Sequence, residues 1–284
     1  MDGDRSFWRC GTHALALGER TLLMGIVNVT PDSFSDGGMF AGPDDAVKHA
    51  LQLLVDGADV LDVGGESTRP GSDPVPTDEE IARVVPVIER LHREAPEATI
   101  SVDTRKPEVA RAGVDAGASI VNDVGAGTAP GMLELVRDTG AGLALMHMLG
   151  DPKTMQADPH YGDVVADVRT FLTERVEAAT AAGIHRDRLC VDPGIGFGKN
   201  VGHNLALLRA VGSFRELGAV LVGVSRKRFI GELTGERDPA DRVDGTAGAV
   251  AWCAAQRVDV VRVHDVRRMA RVVRVVDAIV RDVA

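Results

Sequence analysis

The sequence predicts a single-domain α/β fold, a closed (β/α)₈ or TIM barrel with an N-terminal β-hairpin plugging its bottom. Three observations predict it. Eight short apolar runs are spread over almost the whole chain, most are followed by a stretch with helical periodicity, and each ends on a polar or ionisable residue. Alternating strand and helix signals indicate a parallel sheet, and a closed barrel gathers the polar strand ends at one mouth, where such folds place their sites. The 284 residues sit near the roughly 250 typical of this architecture. No Pro/Ser linker, internal repeat or low-complexity segment divides the chain, so residues 1–20 are expected as a hairpin extension and 21–284 as one barrel.

The elements follow in order. Phe7 to Cys10 and Ala14 to Leu17 flank Gly11, Thr12 and His13, which predicts the hairpin. Strands rich in Val, Ile and Leu begin near residues 21, 59, 99, 119, 142, 189, 219 and 258. Their weak alternation marks strands buried on both faces. Between them Val47, Ala50, Leu51 and Leu54 share a helical face, as do Ile81, Val84, Val85 and Ile88, and later Met269, Val272, Val273 and Val276. Asp44 and Asp45 after Pro43 suit the positive end of a helix dipole, and Thr77 with Glu80 has the spacing of a capping box.

A formal net charge of −10 opposes broad attraction to nucleic acid or anionic membrane, so an anionic ligand must be held by local cations. The chain shows neither a signal-peptide core nor a run approaching the roughly 20 apolar residues of a spanning helix, and a cytoplasmic protein is expected. Cys10, Cys190 and Cys253 are odd in number and far apart, which argues against a disulfide framework or a cysteine metal site.

The run ends are Asn28, Asp62, Asp103, Asn122, His147, Asp192, the trio Ser225, Arg226 and Lys227, and the pair Arg262 and His264. The plainer account of Asp103 and Asp192 is internal pairing with Lys227 or Arg105, since an unpaired buried carboxylate is costly. The functional account is that two carboxylates and the Asn122 amide read a ligand rich in N–H donors, such as an aminated nitrogen heterocycle. Two strand-end loops carry short polar side chains. One follows Asn28 and bears the apolar tip Phe34; the other runs from Gly64 to Gly71, where Ser67, Thr68 and Arg69 could grip a phosphate, or Arg69 could simply pair with Glu66. The segment DPGIGFGKN from Asp192 fails as a P-loop, because Pro193 and Asn200 stand where Gly and Ser or Thr are needed. That excludes ATP and GTP binding on this loop. Its glycines instead let backbone approach a flat ligand, with Phe197 as an apolar wall. The run Ser225-Arg226-Lys227-Arg228 and the pair Arg262 and His264 bring several cations to the ends of the last two strands, and Arg262 two residues before His264 predicts an anion pocket there over a merely solvated face. His147 reads as a packed histidine. No His/Asp/Glu cluster has metal-ligand spacing, which leaves magnesium carried by a phosphorylated substrate.

Taken together, MGIVNVTPDSFSDGG from Met24, DVGGESTRPG from Asp62, SVDTRKPEVA from Ser101, the Asn122-Asp123-Val124 step, MHM at Met146, DPGIGFGK from Asp192, SRKRFIG from Ser225 and RVHDV from Arg262 resemble the dihydropteroate synthase family. The resemblance spans nearly the whole chain in one order. It implies a homodimeric barrel that condenses 6-hydroxymethyl-7,8-dihydropterin diphosphate with 4-aminobenzoate, releasing diphosphate and 7,8-dihydropteroate. It further implies pterin contacts from Asp103, Asn122, Asp192 and Lys227, and an Arg262 that both stacks on the ring and meets the diphosphate. Asn28, Thr68, Arg69 and His264 would hold the diphosphate, with Mg²⁺ liganded partly by Asn28. Phe34, Pro70 and Phe197 would wall the aminobenzoate site. The catalytic set it implies is Arg262, Lys227, Asp192 and His264. One departure is Arg228, where some members have Ser near the aminobenzoate carboxylate.

Other readings predict different behaviour. A methyltetrahydrofolate-dependent methyltransferase accounts for the aspartates and Asn122 but not for the anion residues. A non-catalytic paralogue would bind pterin without forming product. A structural barrel with satisfied ion pairs would bind nothing.

Overall fold

A computed structural model describes residues 7–30, 43–68, 71–151 and 153–281. Two antiparallel strands, β1 (Phe7–Cys10) and β2 (His13–Ala16), form the expected hairpin. Eight parallel strands follow: β3 (Leu22–Asn28), β4 (Val60–Gly64), β5 (Thr99–Asp103), β6 (Ile120–Asp123), β7 (Gly142–Met146), β8 (Leu189–Asp192), β9 (Ala219–Gly223) and β10 (Val260–Val263). They close into a barrel in chain order, with β10 beside β3 in the register Val260 to Leu22. The described helices are α1 (Pro43–Val55), α2 (Thr77–Glu94), α3 (Pro107–Asp115), α4 (Met132–Thr139), α5 (Val164–Ala181), α6 (Val201–Arg209), α7 (Arg228–Thr234), α8 (Val243–Ala255) and α9 (Val266–Val280).

Strand alternation divides the core in two. Residues such as Val27, Leu61, Val63, Val102, Val121, Leu143, Leu145, Val191 and Val222 face outward and pack with helix residues including Val47, Val84, Ile88, Val136 and Leu172. A second cluster fills the barrel's interior: Leu22, Met24, Val60, Ile120, Ala144, Cys190, Leu221 and Val260, closed from below by Trp8 and Cys10 of the hairpin. Trp8 is fully buried and its indole N–H donates to the Arg188 carbonyl at 3.1 Å. The hairpin therefore plugs the amino-terminal mouth with an aromatic side chain.

Three helix expectations need adjusting. In α1 the buried face is Ala46, Val47, Ala50 and Leu53, with Leu51 and Leu54 at its edge. In α9 Met269 and Val273 are buried together with Val266 and Asp277, while Val272 and Val276 pack only partly. Thr77 and Glu80 do not make a capping box: Pro76 occupies the cap of α2 without a side-chain bond, and Glu80 is buried against Lys106. A half-buried ammonium competes better for that carboxylate than a backbone amide does.

Candidate active site

Period-two geometry places the site. Asp62, Asn122, Asp192 and Arg262 each stand two residues after a member of the inner cluster, namely Val60, Ile120, Cys190 and Val260. Each therefore points into the barrel one layer higher, at the carboxyl ends of the strands. Asp103 closes β5 in register with Gly64 and Asn122. The apolar lower layer and polar upper layer are one alternation read upward.

Arg262 organises this layer. Its Nε donates to Asp62 Oδ2 at 2.5 Å and its Nη2 to Asp103 Oδ2 at 2.6 Å. Asn122 Nδ2 donates to the same Asp62 oxygen at 3.1 Å. Arg262, rather than Lys227 or Arg105, is thus the partner of Asp103; Arg105 lies outside, near Glu66 and Asp151. The reason is closure of the sheet, which brings β10 within reach of β4 and β5 across β3. Asp62 is completely buried and its Oδ1 has no partner among the described residues. From sequence Asp62 is a strand end without an assigned role; its spacing after Val60, identical to that of Asn122 after Ile120, is the signal that marks it.

Asp192 accepts the Gly194 amide at 2.7 Å. Gly194 adopts φ +67°, and a Cβ there would stand 1.9 Å from the His147 carbonyl oxygen, so the β8–α6 turn requires glycine. A second residue missed from sequence, Lys199, lies 2 % exposed beneath this turn and donates to Phe197 O at 2.9 Å. Its Nζ is 2.9 Å from His147 Nδ1. His147 packs edge-on against Phe171, and burial with the Lys199 charge pulls its pKa down to about 3. It is the packed, neutral histidine expected. Lys227 Nζ sits 4.0 Å from the centroid of the Phe197 ring, a cation–π pair that joins the β9 and β8 ends.

The cation run after β9 separates. Arg226 takes a left-handed conformation, φ +58°, and grips Asp265 through two bonds of 3.0 and 2.9 Å. Arg228 is exposed and pairs with Glu232 on α7 at 2.7 Å. Of the run's cations, Lys227 faces Phe197 and Asp192. His264 Nδ1 lies 2.9 Å from Ser225 Oγ. Asn28 is exposed at the tip of β3 and Thr68 is half-buried after β4. Phe34, Arg69 and Pro70 lie outside the described residues. Glu66 binds Lys106 at 2.7 Å, and the pairing with Arg69 that the sequence also allows falls outside the described residues.

Burial tunes these groups towards neutrality. It pushes Asp103 up to about 7 against the pull of Arg262, and Asp192 up to about 6 against the Gly194 amide and Lys227. It pulls the Lys227 ammonium down to about 8 against Asp192. For Arg262 burial also works against charge, but Asp62 and Asp103 outweigh it and hold the guanidinium protonated. Acceptors, an amide and two cations around one opening can match a flat heterocycle's donors and carbonyl while keeping positive charge for an anion.

Among the described residues no group of three or more His, Cys, Asp or Glu could hold a metal. Mg²⁺ commonly retains waters and takes its remaining ligands from one or two protein oxygens and substrate phosphates. The exposed carboxamide of Asn28 fits such a site, one completed by the ligand.

A parallel barrel whose carboxyl-end mouth combines buried carboxylates with a fixed arginine defines a class of enzyme that binds a donor-rich, anionic substrate. Residues 24–264 match the model of the pterin binding enzyme family. The dihydropteroate synthase of Escherichia coli (strain K12) is 46% identical over 257 residues, 90% of each chain. The Xanthomonas albilineans dihydropteroate synthase solved with 4-aminobenzoic acid superposes with a TM-score of 0.90 at 48% identity, covering 98% of this chain and 100% of that one. The same enzyme solved with 7,8-dihydropteroate gives 0.87 at 47% identity, covering 97% and 98%. This chain belongs to the dihydropteroate synthase family of pterin-binding enzymes.

Proposed function

We propose that this protein is the transferase of folate biosynthesis that condenses 6-hydroxymethyl-7,8-dihydropterin diphosphate with 4-aminobenzoate to give 7,8-dihydropteroate and diphosphate. The single observation that carries this reading is the polar layer of Asp103, Asn122, Asp192, Lys227 and Arg262 on an apolar barrel floor. Its chemistry matches a pterin, and relatives solved with 4-aminobenzoic acid and with 7,8-dihydropteroate share the fold.

In this reading Asp103, Asn122 and Asp192 take the ring's N–H donors and Lys227 its acceptor edge. Arg262 uses Nε and Nη2 on Asp62 and Asp103, which leaves Nη1 and the guanidinium face for the ring and the departing diphosphate. Asn28, Thr68, Arg69 and His264 hold the diphosphate, and Phe34, Pro70 and Phe197 wall the aminobenzoate. Mg²⁺, held in part by Asn28, supplies charge neutralisation of the diphosphate when bound. The bond from the exocyclic methylene carbon to the diphosphate oxygen breaks with its electron pair leaving on diphosphate. The electron-rich pterin stabilises the resulting cation, and the arylamine lone pair closes the new C–N bond with loss of one proton. An aniline nitrogen is nucleophilic near neutrality, so the protein's task is positioning and stabilisation of the leaving group.

A homodimer and a cytoplasmic location belong to the same proposal. The exposed Leu233, Trp252, Val275 and Ile279 of α7, α8 and α9 offer apolar surface for a second copy. The cysteines are free and buried, in keeping with a reducing compartment. No described helix is long and apolar enough to cross a membrane. The test of function is chromatographic detection of 7,8-dihydropteroate with magnesium, each substrate being omitted in turn. Product that needs both substrates upholds the reading; folded protein that binds pterin and forms no product replaces it with a non-catalytic paralogue.

A further inference from the structure

The Thr104-Arg105-Lys106 step after β5 contains a cation that the transfer does not use. Lys106 caps α3 three residues beyond Asp103. Its ammonium donates to Glu66 Oε2 at 2.7 Å, to Glu80 Oε2 at 2.5 Å and to the Val75 carbonyl at 2.6 Å. Three donors meet acceptors from the start of the β4–α2 loop, from its end, and from the first turns of α2. The same Glu66 oxygen accepts the Val75 amide at 2.8 Å. Beside it, Arg83 Nη1 holds the Gly65 carbonyl at 2.7 Å. A Cβ on Gly65 would stand 2.9 Å from Val84 Cγ1 and 3.1 Å from Glu80 Cγ, so glycine lets the chain lie directly on α2 at this point.

Both sides of the loop's neck are therefore tied to two helices through buried charge. Glu80 is 1 % exposed, and its Oε1 has no partner among the described residues. A buried cluster of one cation and two carboxylates adds little net stability, because desolvation offsets most of the attraction. What it does provide is one defined geometry for the residues leaving β4.

We infer that Lys106 is a positioning residue for the transfer: by clasping the neck of the β4–α2 loop it sets where Thr68 stands relative to the tips of β5 and β10. This rests on the proposed role of Thr68 at the diphosphate. Lys106 itself touches no reacting atom, and Asp103, Asn122 and Asp192, which meet the pterin in the proposed function, are carried by the strands β5, β6 and β8.

Lys106→Met alone strips the buried Glu80 of its cation and leaves Glu66 with Arg105 at 3.6 Å, so the decisive variant is Lys106→Met/Glu80→Met, with Lys106→Arg as the conservative comparison. Thermal unfolding confirms a folded variant before kinetics. Affinity for 6-hydroxymethylpterin, which lacks the diphosphate, should stay within about two-fold, while KM for the pterin diphosphate rises by about ten-fold or more and kcat falls less. Lys106→Arg should recover most of the loss. Amide exchange at Val75, read without turnover, should quicken by about ten-fold in the double variant. An unchanged KM, a parallel loss of free-pterin affinity, or unchanged Val75 exchange each overturns the inference. Wild-type protein that makes no dihydropteroate, with Val75 exchange responding as expected, removes the proposed function and leaves the clasp standing.

Discussion

Asp192 shows how a side chain can serve a site at the expense of the fold. Its carboxyl is pushed by burial from 3.8 up to about 6, so folding favours the protonated form. The group's contribution to stability is fully present below about pH 4 and is lost as pH rises through about 6, leaving a cost on the order of 1–3 kcal/mol at pH 8. Asp192→Asn keeps an acceptor for the Gly194 amide and removes the charge. Its Tm should exceed that of the wild type at pH 8, the difference shrinking towards pH 4, while pterin affinity drops by about ten-fold or more. Thermal scans at both pH values with a pterin titration check this, and a lower Tm at pH 8 would count against it. Arg262 acts in the opposite sense, since it is held charged by Asp62 and Asp103. Arg262→Ala should remain folded, because Asp103 is already near neutral titration and takes up a proton. Its turnover should fall by roughly 10²–10³, the equivalent of about 3–4 kcal/mol of lost anion stabilisation. Steady-state rates alongside circular dichroism decide, and near-normal turnover removes the assigned role.

At the scale of elements, the hairpin and the strand-end loops divide labour between the barrel's two mouths. Trp8 closes the interior from below, far from the polar layer, so Trp8→Ala should cost about 3–5 kcal/mol of stability and leave KM for both substrates nearly unchanged. Urea unfolding and steady-state kinetics on one preparation test the separation; a large KM change would mean that the plug is coupled to the mouth. The β9–α7 turn shows the converse arrangement. Its left-handed Arg226 spends its guanidinium on Asp265, and its amide is held by Thr246 at 3.0 Å. Strain of this kind persists only where surrounding bonds over-determine the backbone, and it falls between Ser225 and Lys227, the two residues of the turn that meet the site. Element periodicity was legible because burial on one helix face repeats every 3.6 residues. The capping-box spacing of Thr77 and Glu80 misled because a local motif cannot register a lysine 26 residues away in sequence.

For the whole molecule, closure of the barrel is secured where its first and last elements meet. Asp277 of α9 accepts the Thr21 amide at 2.7 Å and the Thr21 hydroxyl at 2.9 Å, and pairs with Arg281 at 2.8 Å. Arg281 in turn reaches the carbonyls of Gly18 at 2.9 Å and Val258 at 3.1 Å. One buried pair thus ties the entries of β3 and β10 to the last helix. Asp277→Ala leaves the Arg281 charge uncompensated and should lower stability by about 3–5 kcal/mol. A shift of the guanidinium midpoint checks it, and loss of less than about 1 kcal/mol would show that the closure does not depend on this pair.

The eight strands, their order, the hairpin and the side of the barrel on which the chemistry gathers are legible in the pattern of residues along the chain. All of these follow from local periodicity: a strand that turns Val60, Ile120, Cys190 and Val260 inward must turn Asp62, Asn122, Asp192 and Arg262 inward one layer higher. Which charges meet depends on packing between distant segments. Pairing Arg262 with Asp62 and Asp103 requires β10 to close against β3, and burying Lys106 between Glu66 and Glu80 requires α2 to pack beside α3. Asp62 carried the Val60 spacing that marks the inward layer, whereas Lys199, packed against His147 and Phe197, and Lys106 carried no such mark. The importance of these lysines lies in being desolvated beside particular neighbours, and desolvation is a property of the packed chain that no local pattern of residues expresses.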